Sequence, residues 1–260
     1  MEKQIRVMTF NVRNSEGDRG TVHDWENRKE KVRYLIRKYN PDVIGLQEVL
    51  EDQLDYLAGT LPDYQYKGVG RDDGVRAGEF NPIFYRDQAL EVEESGTFWL
   101  SDTPDICSNP WSWCPRICTW INFRKPVPFV FYNTHFDERD SSTRLKSVSV
   151  IIKGLEINSP ARPAILAGDF NFERNSEEYE RIRQHFRDAC TEEQNYDLLS
   201  RVTYHGFKGT RKGNRSIDFV FIRGSLTVNE IGIIYDNVGG VPSTYPSDHW
   251  PIFADLEIVF

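Results

Sequence analysis

The fold is decided by the stretch Ala164-Ile165-Leu166-Ala167-Gly168-Asp169-Phe170-Asn171, a short apolar run that ends in a glycine, a carboxylate and a carboxamide. Four apolar residues bounded by Pro163 and Gly168 predict a strand covered on both faces, and binding or catalytic groups favour the loops that such strands position. Gly-Asp and Asn are also common turn formers, so the stretch alone is compatible with a simple turn. Its interpretation depends on the ends of the other strands.

Polar side chains of the same kinds stand at or near the ends of the other predicted strands. They are Asn11, Glu48, His135, Asp218, and Asp248 with His249. A buried charge without a partner is heavily penalised, whereas a polar site shared between strand ends removes that penalty. The sequence therefore predicts one polar site at one end of the sheets.

Hydrophobic periodicity supplies the remaining elements. Apolar positions at helical spacing predict helices over residues 24–39 and 141–158, residues 50–61 suit another helix, and a charged helix is predicted around residues 176–185. Strand-like segments lie between and after them. Residues 64–86 read as strand-like with glycine-rich joints, and residues 101–115 as a long loop. No Pro/Gly/Ser-rich linker divides the chain, which predicts a single domain over residues 1–260 with mixed strands and helices.

Composition restricts the class of partner. The 260 residues are 39% apolar and 28% charged, with a net charge of −8, which is typical of a globular protein. A protein that grips duplex DNA usually presents a broad basic face, so the acidic balance disfavours duplex DNA as a partner. A small or single-stranded phosphorylated substrate remains compatible with this charge.

Cysteine usage and the N-terminus bear on location. The four cysteines include no C-x-x-C pair, and buried free thiols explain them better than a disulfide or metal loop. The chain starts without a signal-peptide pattern, and no apolar run approaches the length of a transmembrane helix. We expect a cytoplasmic protein, most simply a monomer, without a membrane partner.

The ligand types predict a hard metal ion. Carboxylates and carboxamides without thiolates suit Mg²⁺ or Mn²⁺, which keep several waters and take one or two protein carboxylates. Glu48 is the first candidate ligand, followed by Asn11 and Asp248. A zinc site would use more histidine or cysteine, and the histidines lack the H-E-x-x-H spacing.

Metal-assisted hydrolysis of a phosphoester also needs a group that orients water and donors for the phosphoryl oxygens. Asp169 could position the water, while Asn171 and His135 could donate to the oxygens. A hydrogen bond from His249 to Asp218 could fix the imidazole tautomer. Each residue alone is explained as well by a cap or a buried histidine, so the hypothesis rests on the whole set.

Six motifs together resemble the endonuclease/exonuclease/phosphatase superfamily, in its deoxyribonuclease-like, metal-dependent phosphoesterase form. They are Phe10-Asn11, Leu46-Gln47-Glu48-Val49, Asn133-Thr134-His135, Gly168-Asp169-Phe170-Asn171, Ile217-Asp218-Phe219 and Ser247-Asp248-His249. The resemblance implies an α/β (α+β) four-layer sandwich, in which two mainly antiparallel sheets are flanked by helices. It also implies in-line attack of water on a phosphoester.

The resemblance assigns roles to the same residues. It places Asn11 and Glu48 at the metal site, with Asp248 at or beside it, and makes Asp169 and Asn171 the water-orienting and phosphate-contacting pair. Asp218 and His249 match the carboxylate and histidine dyad. His135 is similar to the phosphate-contacting histidine of deoxyribonuclease-like and sphingomyelinase-like members, and apurinic-site nucleases carry a tyrosine motif there. Asp137 receives no role.

The substrate stays open among several classes, because the fold serves nucleases, phosphodiesterases and sugar-phosphate or inositol-phosphate phosphatases. A non-catalytic binding module would be expected to have lost some of the site residues. A serine hydrolase is disfavoured because no G-x-S-x-G motif exists. The candidate substrate-binding residues are Arg116, Lys208, Arg211 and Arg215 for phosphate, and Trp111 and Trp113 for stacking on a ring.

Overall fold

The computed structural model describes residues 3–108, 111–158, 161–192, 200–213, 215–238 and 245–259. The helices are α1 Trp25–Tyr39, α2 Glu51–Thr60, α3 Ser141–Asn158, α4 Glu177–Arg183 and α5 Ala189–Glu192. The strands are β1 Lys3–Asn11, β2 Val43–Gln47, β3 Tyr64–Lys67, β4 Ile83–Arg86, β5 Glu91–Trp99, β6 Ile117–Lys125, β7 Phe129–His135, β8 Ala164–Asp169, β9 Arg187–Asp188, β10 Asp218–Arg223, β11 Leu226–Ile233 and β12 Ile252–Ile258.

These strands form two six-stranded sheets. The first has the order β11-β12-β1-β2-β4-β3 and the second the order β5-β6-β7-β8-β10-β9. In each sheet one neighbouring pair is parallel, namely β1 with β2 and β7 with β8, and the other pairs are antiparallel. The parallel pairs are joined through α1 and α3, as parallel strands require a crossover connection.

Three apolar cores separate the layers. Strand β8 shows how: Ile165 and Ala167 belong to the core between the two sheets, whereas Ala164 and Leu166 belong to a core shared with α3. A third core packs α1 and α2 on the first sheet. Because successive strand residues face opposite sides, both faces of β8 are buried, as its unbroken apolar run predicted. The predicted four-layer α/β sandwich is confirmed.

Helix α1 illustrates how pattern gives structure. Its buried residues are Trp25, Arg28, Val32, Leu35 and Ile36, which recur at helical spacing and therefore share one face. The side chain of Asp24 caps it by accepting a hydrogen bond from the backbone N–H of Glu26, and Asn40 ends it in the left-handed region.

The segment predicted as strand-like over residues 64–86 is corrected by the structure. Only its two ends, β3 and β4, are strands, and they pair with each other across a long intervening loop. Gly68, Gly74 and Gly78 within the loop adopt positive φ, a conformation that breaks a strand and favours glycine. The glycines at the predicted joints are therefore the reason for the loop.

All four cysteines are unpaired, and three of them are buried. Among the helices of the described ranges, none combines the length and apolarity that a membrane span requires.

Gly168 fixes the close approach of β8 to β7, which yields a stability prediction. Its φ is +152°, and a Cβ atom would lie 2.1 Å from the carbonyl oxygen of Thr134. We expect Gly168→Ala to lower the free energy of unfolding by about 3 kcal/mol or more, because backbone must move. Urea denaturation would measure this loss.

Gly59→Ala is the matched control: nothing lies within 4 Å of its added Cβ. We expect Gly59→Ala to be neutral or slightly stabilising, and equal midpoints for both variants would contradict the prediction.

Candidate functional site

Strand register brings the predicted site residues together. In the second sheet, His135 of β7 lies beside Asp169 of β8, which lies beside Asp218 of β10. In the first sheet, Asn11 ends β1 and pairs with Gln47, so that Glu48 follows at the adjacent strand end. All these groups therefore face one end of the sandwich.

A buried amide pair joins the two sheets just beneath this end. The Nε2 of Gln47 donates to the Oδ1 of Asn133 at 2.6 Å, and Asn133 donates from Nδ2 to the backbone oxygens of Leu46 and Pro82. Gly45 allows this approach, since a Cβ there would lie 2.6 Å from Asn133 Oδ1. The link fixes β2 against β7 and thereby the position of the residues at their tips.

Asp169 lies at the centre of the cluster. Its Oδ2 accepts a hydrogen bond from Asn11 Nδ2 at 2.9 Å and lies 3.6 Å from His249 Nε2 and 3.7 Å from His135 Nε2. Its Oδ1 accepts the backbone N–H of Asn171 at 3.1 Å. Burial and the neighbouring charge of Asp218 raise the pKa of Asp169 to about 7. A carboxyl group with such a pKa can exchange a proton near neutral pH.

Glu48 is held as a charged acceptor. Its Oε1 accepts from Asn11 Nδ2 at 2.9 Å, and its Oε2 accepts from the backbone N–H and the side chain of Asn14, both at 3.1 Å. Although burial opposes ionisation, the hydrogen bond from Asn11 and the positive charges of His249 and Arg13 lower the pKa of Glu48. Its backbone adopts φ +60°, which directs the residue out of the strand.

His249 and Asp218 form a buried ion pair. The Nδ1 of His249 lies 2.9 Å from Asp218 Oδ2. Burial alone would lower the pKa of His249, but the charges of Asp218 and Asp169 raise it to about 10. The His249 ring is therefore a protonated imidazolium at neutral pH, and its Nε2–H faces Asp169.

His135 is neutral, in contrast to the protonated His249. Burial, and then the charges of Arg116 and Arg71, keep the pKa of His135 well below its usual value, so the ring is neutral. Its Nε2 lies 3.1 Å from Asn171 Nδ2, and the same amide donates to the carbonyl oxygen of Phe136. Asn171 has φ +52°, a conformation that asparagine tolerates better than most residues.

The negative charges of the neighbouring carboxylates repel one another, and a bound cation would relieve this repulsion. Burial, with the charge of Glu48 among the further causes, raises the pKa values of Asp248 and Glu79. The ligand atoms of Glu48, His135 and Asp169 lie within 4.8 Å of one another, as do those of Asp169, Asp218 and His249. The second set is the poorer cation site because His249 is protonated and paired. The first set fits Mg²⁺ or Mn²⁺ through the carboxylate oxygens of Glu48 and Asp169, because Glu48 is ionised and His135 is neutral.

A cavity of about 380 Å³ opens above these groups. It is lined by Arg13, Asn14, Glu48, Glu79, Trp113, Arg116, His135, Glu138, Arg139, Asp169, Asn171, Tyr204, Arg215, Ile217, Asp248 and His249. The predicted residues Asn11 and Asp218 lie directly behind this lining and hydrogen bond to it.

The structure divides the predicted substrate-binding residues. Arg116, Arg215 and Trp113 line the cavity, whereas Lys208 and Arg211 do not. Arg211 lies instead over the ring of Tyr235 and donates to its carbonyl oxygen.

Trp111 lies apart from this cavity and lines a second one between α3 and the preceding loop. There its Nε1 donates to Asp102, and Lys146 lies over its ring. Sequence separation alone could not tell which of two nearby tryptophans faces the site.

Six residues that line the cavity are not among the site residues predicted from the sequence, namely Arg13, Asn14, Glu79, Glu138, Arg139 and Tyr204. Apart from Arg13, which closes the first predicted strand two residues after Asn11, none of them ends a predicted strand, and strand ends are the positions that the sequence pattern marks. Asp137, without a role in the sequence, accepts hydrogen bonds from the backbone N–H groups of Arg139 and Asp140 and from Ser112. It therefore shapes the loop that carries Glu138 and Arg139.

Known proteins of one family resemble this chain in sequence and in fold. The model of the Endonuclease/Exonuclease/phosphatase family matches residues 8–249. An endonuclease/exonuclease/phosphatase family protein from Bacteroides thetaiotaomicron is 30% identical, with a TM-score of 0.91 and full coverage of both chains. One from Bacteroides vulgatus is 35% identical, with a TM-score of 0.89, covering 99% of this chain and 100% of the other. A mannosyl-6-phosphatase from Bacteroides thetaiotaomicron is 31% identical, with a TM-score of 0.89 and coverage of 98% and 100%.

Proposed function

The chain belongs to the endonuclease/exonuclease/phosphatase family, and from this premise we propose that it is a Mg²⁺- or Mn²⁺-dependent hydrolase of small phosphomonoesters. The observation that carries the proposal is the convergence of Glu48, Asp169, Asn171, His135 and His249 on one cavity of about 380 Å³. That volume suits a small phosphorylated molecule. The resemblance to a mannosyl-6-phosphatase over nearly the whole of both chains supports the same class.

The divalent ion would be held mainly by Glu48, with Asp248 and Asn11 beside it. When bound, it would polarise the phosphoryl group and offset negative charge on its oxygens. The donor set fits this ion, because ionised Glu48 lies among buried carboxylates whose mutual repulsion a cation relieves. The amide of Asn11 bridges Glu48 and Asp169 and so fixes the ligand relative to the proton acceptor.

The chain's own residues supply the rest of the chemistry. Asp169, oriented by Asn11 and by the backbone N–H of Asn171, would orient the attacking water and accept its proton. The protonated Nε2 of His249 would donate to the phosphoryl oxygens. The Nδ2 of Asn171 contacts the carbonyl oxygen of Phe136 and His135 Nε2, so it would donate to a phosphoryl oxygen by exchanging one of these partners. Asp218 keeps His249 charged and in one orientation. His135 is neutral, so its ring contributes a polar nitrogen to the cavity without adding positive charge.

A substrate panel tests the proposal. We expect release of inorganic phosphate from small monoesters such as mannose 6-phosphate with Mg²⁺ or Mn²⁺, and none in EDTA. Cleavage of single-stranded oligonucleotides in preference to every monoester would replace the proposal with a nuclease or phosphodiesterase function. Absence of turnover with every phosphoester tested would contradict an enzymatic role and favour a binding module.

A further inference from the structure

Arg116 is a buried charge whose hydrogen-bonding capacity is only partly used. It precedes β6, is 5% exposed and lines the cavity. Its Nη2 donates to Glu138 Oε2 at 2.5 Å, but its Nε and Nη1 are buried and find no hydrogen-bond partner in the part of the chain that the structure describes. Unpaired buried donors cost free energy, so an oxygen-bearing ligand in the cavity would stabilise this arrangement.

Glu138 places an acceptor next to these donors. Its carboxylate also lines the cavity, and its Oε1 accepts from Arg139 Nε at 3.2 Å while Oε2 accepts from Arg116. The side chain remains 38% exposed, so its remaining lone pairs are accessible from the cavity. Guanidinium donors and a carboxylate acceptor thus stand side by side.

Trp113 adds an apolar surface at the mouth of the same cavity. The side chain lines the cavity although 54% of the residue is exposed, which is unusual for so large an aromatic group. The guanidinium of Arg139 lies 4.5 Å from the centroid of its ring, and this cation–π contact helps to orient it. Trp113, Arg116, Glu138 and Arg139 are named here the arginine wall.

We infer that the arginine wall binds the hydroxyl groups of a sugar leaving group, so that the substrate class is a sugar phosphate. This inference rests on the proposed function. A hydroxyl both donates and accepts, and neighbouring hydroxyls are satisfied by adjacent carboxylate and guanidinium groups. The C–H face of a sugar ring packs on an aromatic ring such as Trp113. A second phosphate would fit less well, because Glu138 would repel it.

The test compares two primary alkyl monoesters that differ in their hydroxyl groups. Mannose 6-phosphate and ethyl phosphate release similar alcohols, but only the sugar can use the arginine wall. We expect wild-type kcat/KM to be higher for the sugar by about 100-fold or more. Because hydrogen bonds to a charged group are stronger than those to a neutral one, Glu138→Gln should lower this ratio by roughly 10-fold or more. Trp113→Ala should lower it similarly, mainly through KM of the sugar.

Two matched controls separate binding from folding. Glu156→Gln changes an exposed carboxylate of α3, and Trp111→Ala changes the tryptophan of the second cavity. Both should leave the ratio unchanged. Glu138 and Trp113 are themselves partly exposed, so their variants are expected to fold, and thermal denaturation checks this.

The outcomes distinguish the inference from the function on which it rests. A wild-type enzyme that hydrolyses both monoesters with similar kcat/KM would overturn the inference while leaving the proposed function intact. An equal loss on both substrates in Glu138→Gln and Trp113→Ala would also overturn it. A marked preference for sugar bisphosphates would mean that Arg116 binds a second phosphate instead. No phosphate release from any monoester would instead refute the proposed function itself.

Discussion

Replacing Asp169 with asparagine should lower kcat by about 10³- to 10⁴-fold while leaving the protein folded. The side chain keeps its shape, and its single oxygen can accept either from Asn11 or from the backbone N–H of Asn171, but it can no longer accept a proton from water. Because Asp169 is placed beside the reacting atoms rather than at the rim of the cavity, KM should change far less than kcat. Steady-state kinetics on a monoester that the wild type hydrolyses would measure both constants.

The same substitution should stabilise the metal-free protein at and above neutral pH. Folding raises the pKa of Asp169 from 3.8 to about 7, so the folded state binds more protons than the unfolded state in that interval. This group's contribution to the free energy of unfolding is thus fully present below pH 3.8 and is lost as the pH rises to 7. An asparagine at this position does not titrate and would not suffer this loss, so the variant should gain roughly 2 to 4 kcal/mol over the wild type by about pH 8.

Urea denaturation in EDTA at about pH 4.5, 6 and 8 would show the widening difference. Asp63→Asn, which removes an exposed carboxylate, is the control and should give a small difference at every pH. A variant that keeps wild-type kcat would exclude Asp169 as the proton acceptor. A variant less stable than wild type at the highest pH would show that Asp169 does not lie in an environment that penalises its charge.

The fold was predictable where the pattern of apolar residues has one solution. The buried face of α1 follows helical spacing, and both faces of β8 are covered because its apolar run does not alternate. The convergence of Asp169, Asp218 and His135 was also foreseeable, because each ends or begins a strand and strand ends share an edge. Periodicity and position along the chain carry this information.

The remaining parts of the site depend on contacts that the sequence does not encode locally. Glu79 lies in a loop between β3 and β4 and reaches the cavity only because paired strands hold that loop over it. Trp111 and Trp113 are two residues apart, yet the packing of their loop on α3 sends them to different cavities. Tertiary packing, and not the spacing of residue types, determines which cavity each of these side chains reaches.

The second prediction concerns the metal: Glu48→Gln should reduce kcat/KM by about 10²- to 10³-fold at millimolar Mg²⁺, with partial recovery as Mg²⁺ is raised. Glutamine keeps the size of the side chain and accepts hydrogen bonds through one oxygen, but it removes the ionised carboxylate that Asn11 and Asn14 hold in place. Mg²⁺ prefers charged oxygen ligands, so the loss should appear in metal binding first. Activity titrated against Mg²⁺ would measure it.

A binding measurement separates this explanation from a general defect. A ligand at about 100 times its Kd stabilises the folded state by about 2.7 kcal/mol, so saturating Mg²⁺ should raise the Tm of the wild type visibly. In Glu48→Gln the same Mg²⁺ concentration should produce a smaller shift, whereas the exposed control Glu156→Gln should behave as the wild type.

If Glu48→Gln kept the full Mg²⁺-dependent shift, the ion would be held by other groups, and Asp248 with Asp169 would become the ligands to test. If Mg²⁺ and Mn²⁺ stabilised none of the three proteins, the buried carboxylates around Asn11 would have to tolerate their repulsion without a cation. The raised pKa values of Asp169 and Asp248 would then describe the working state of the site.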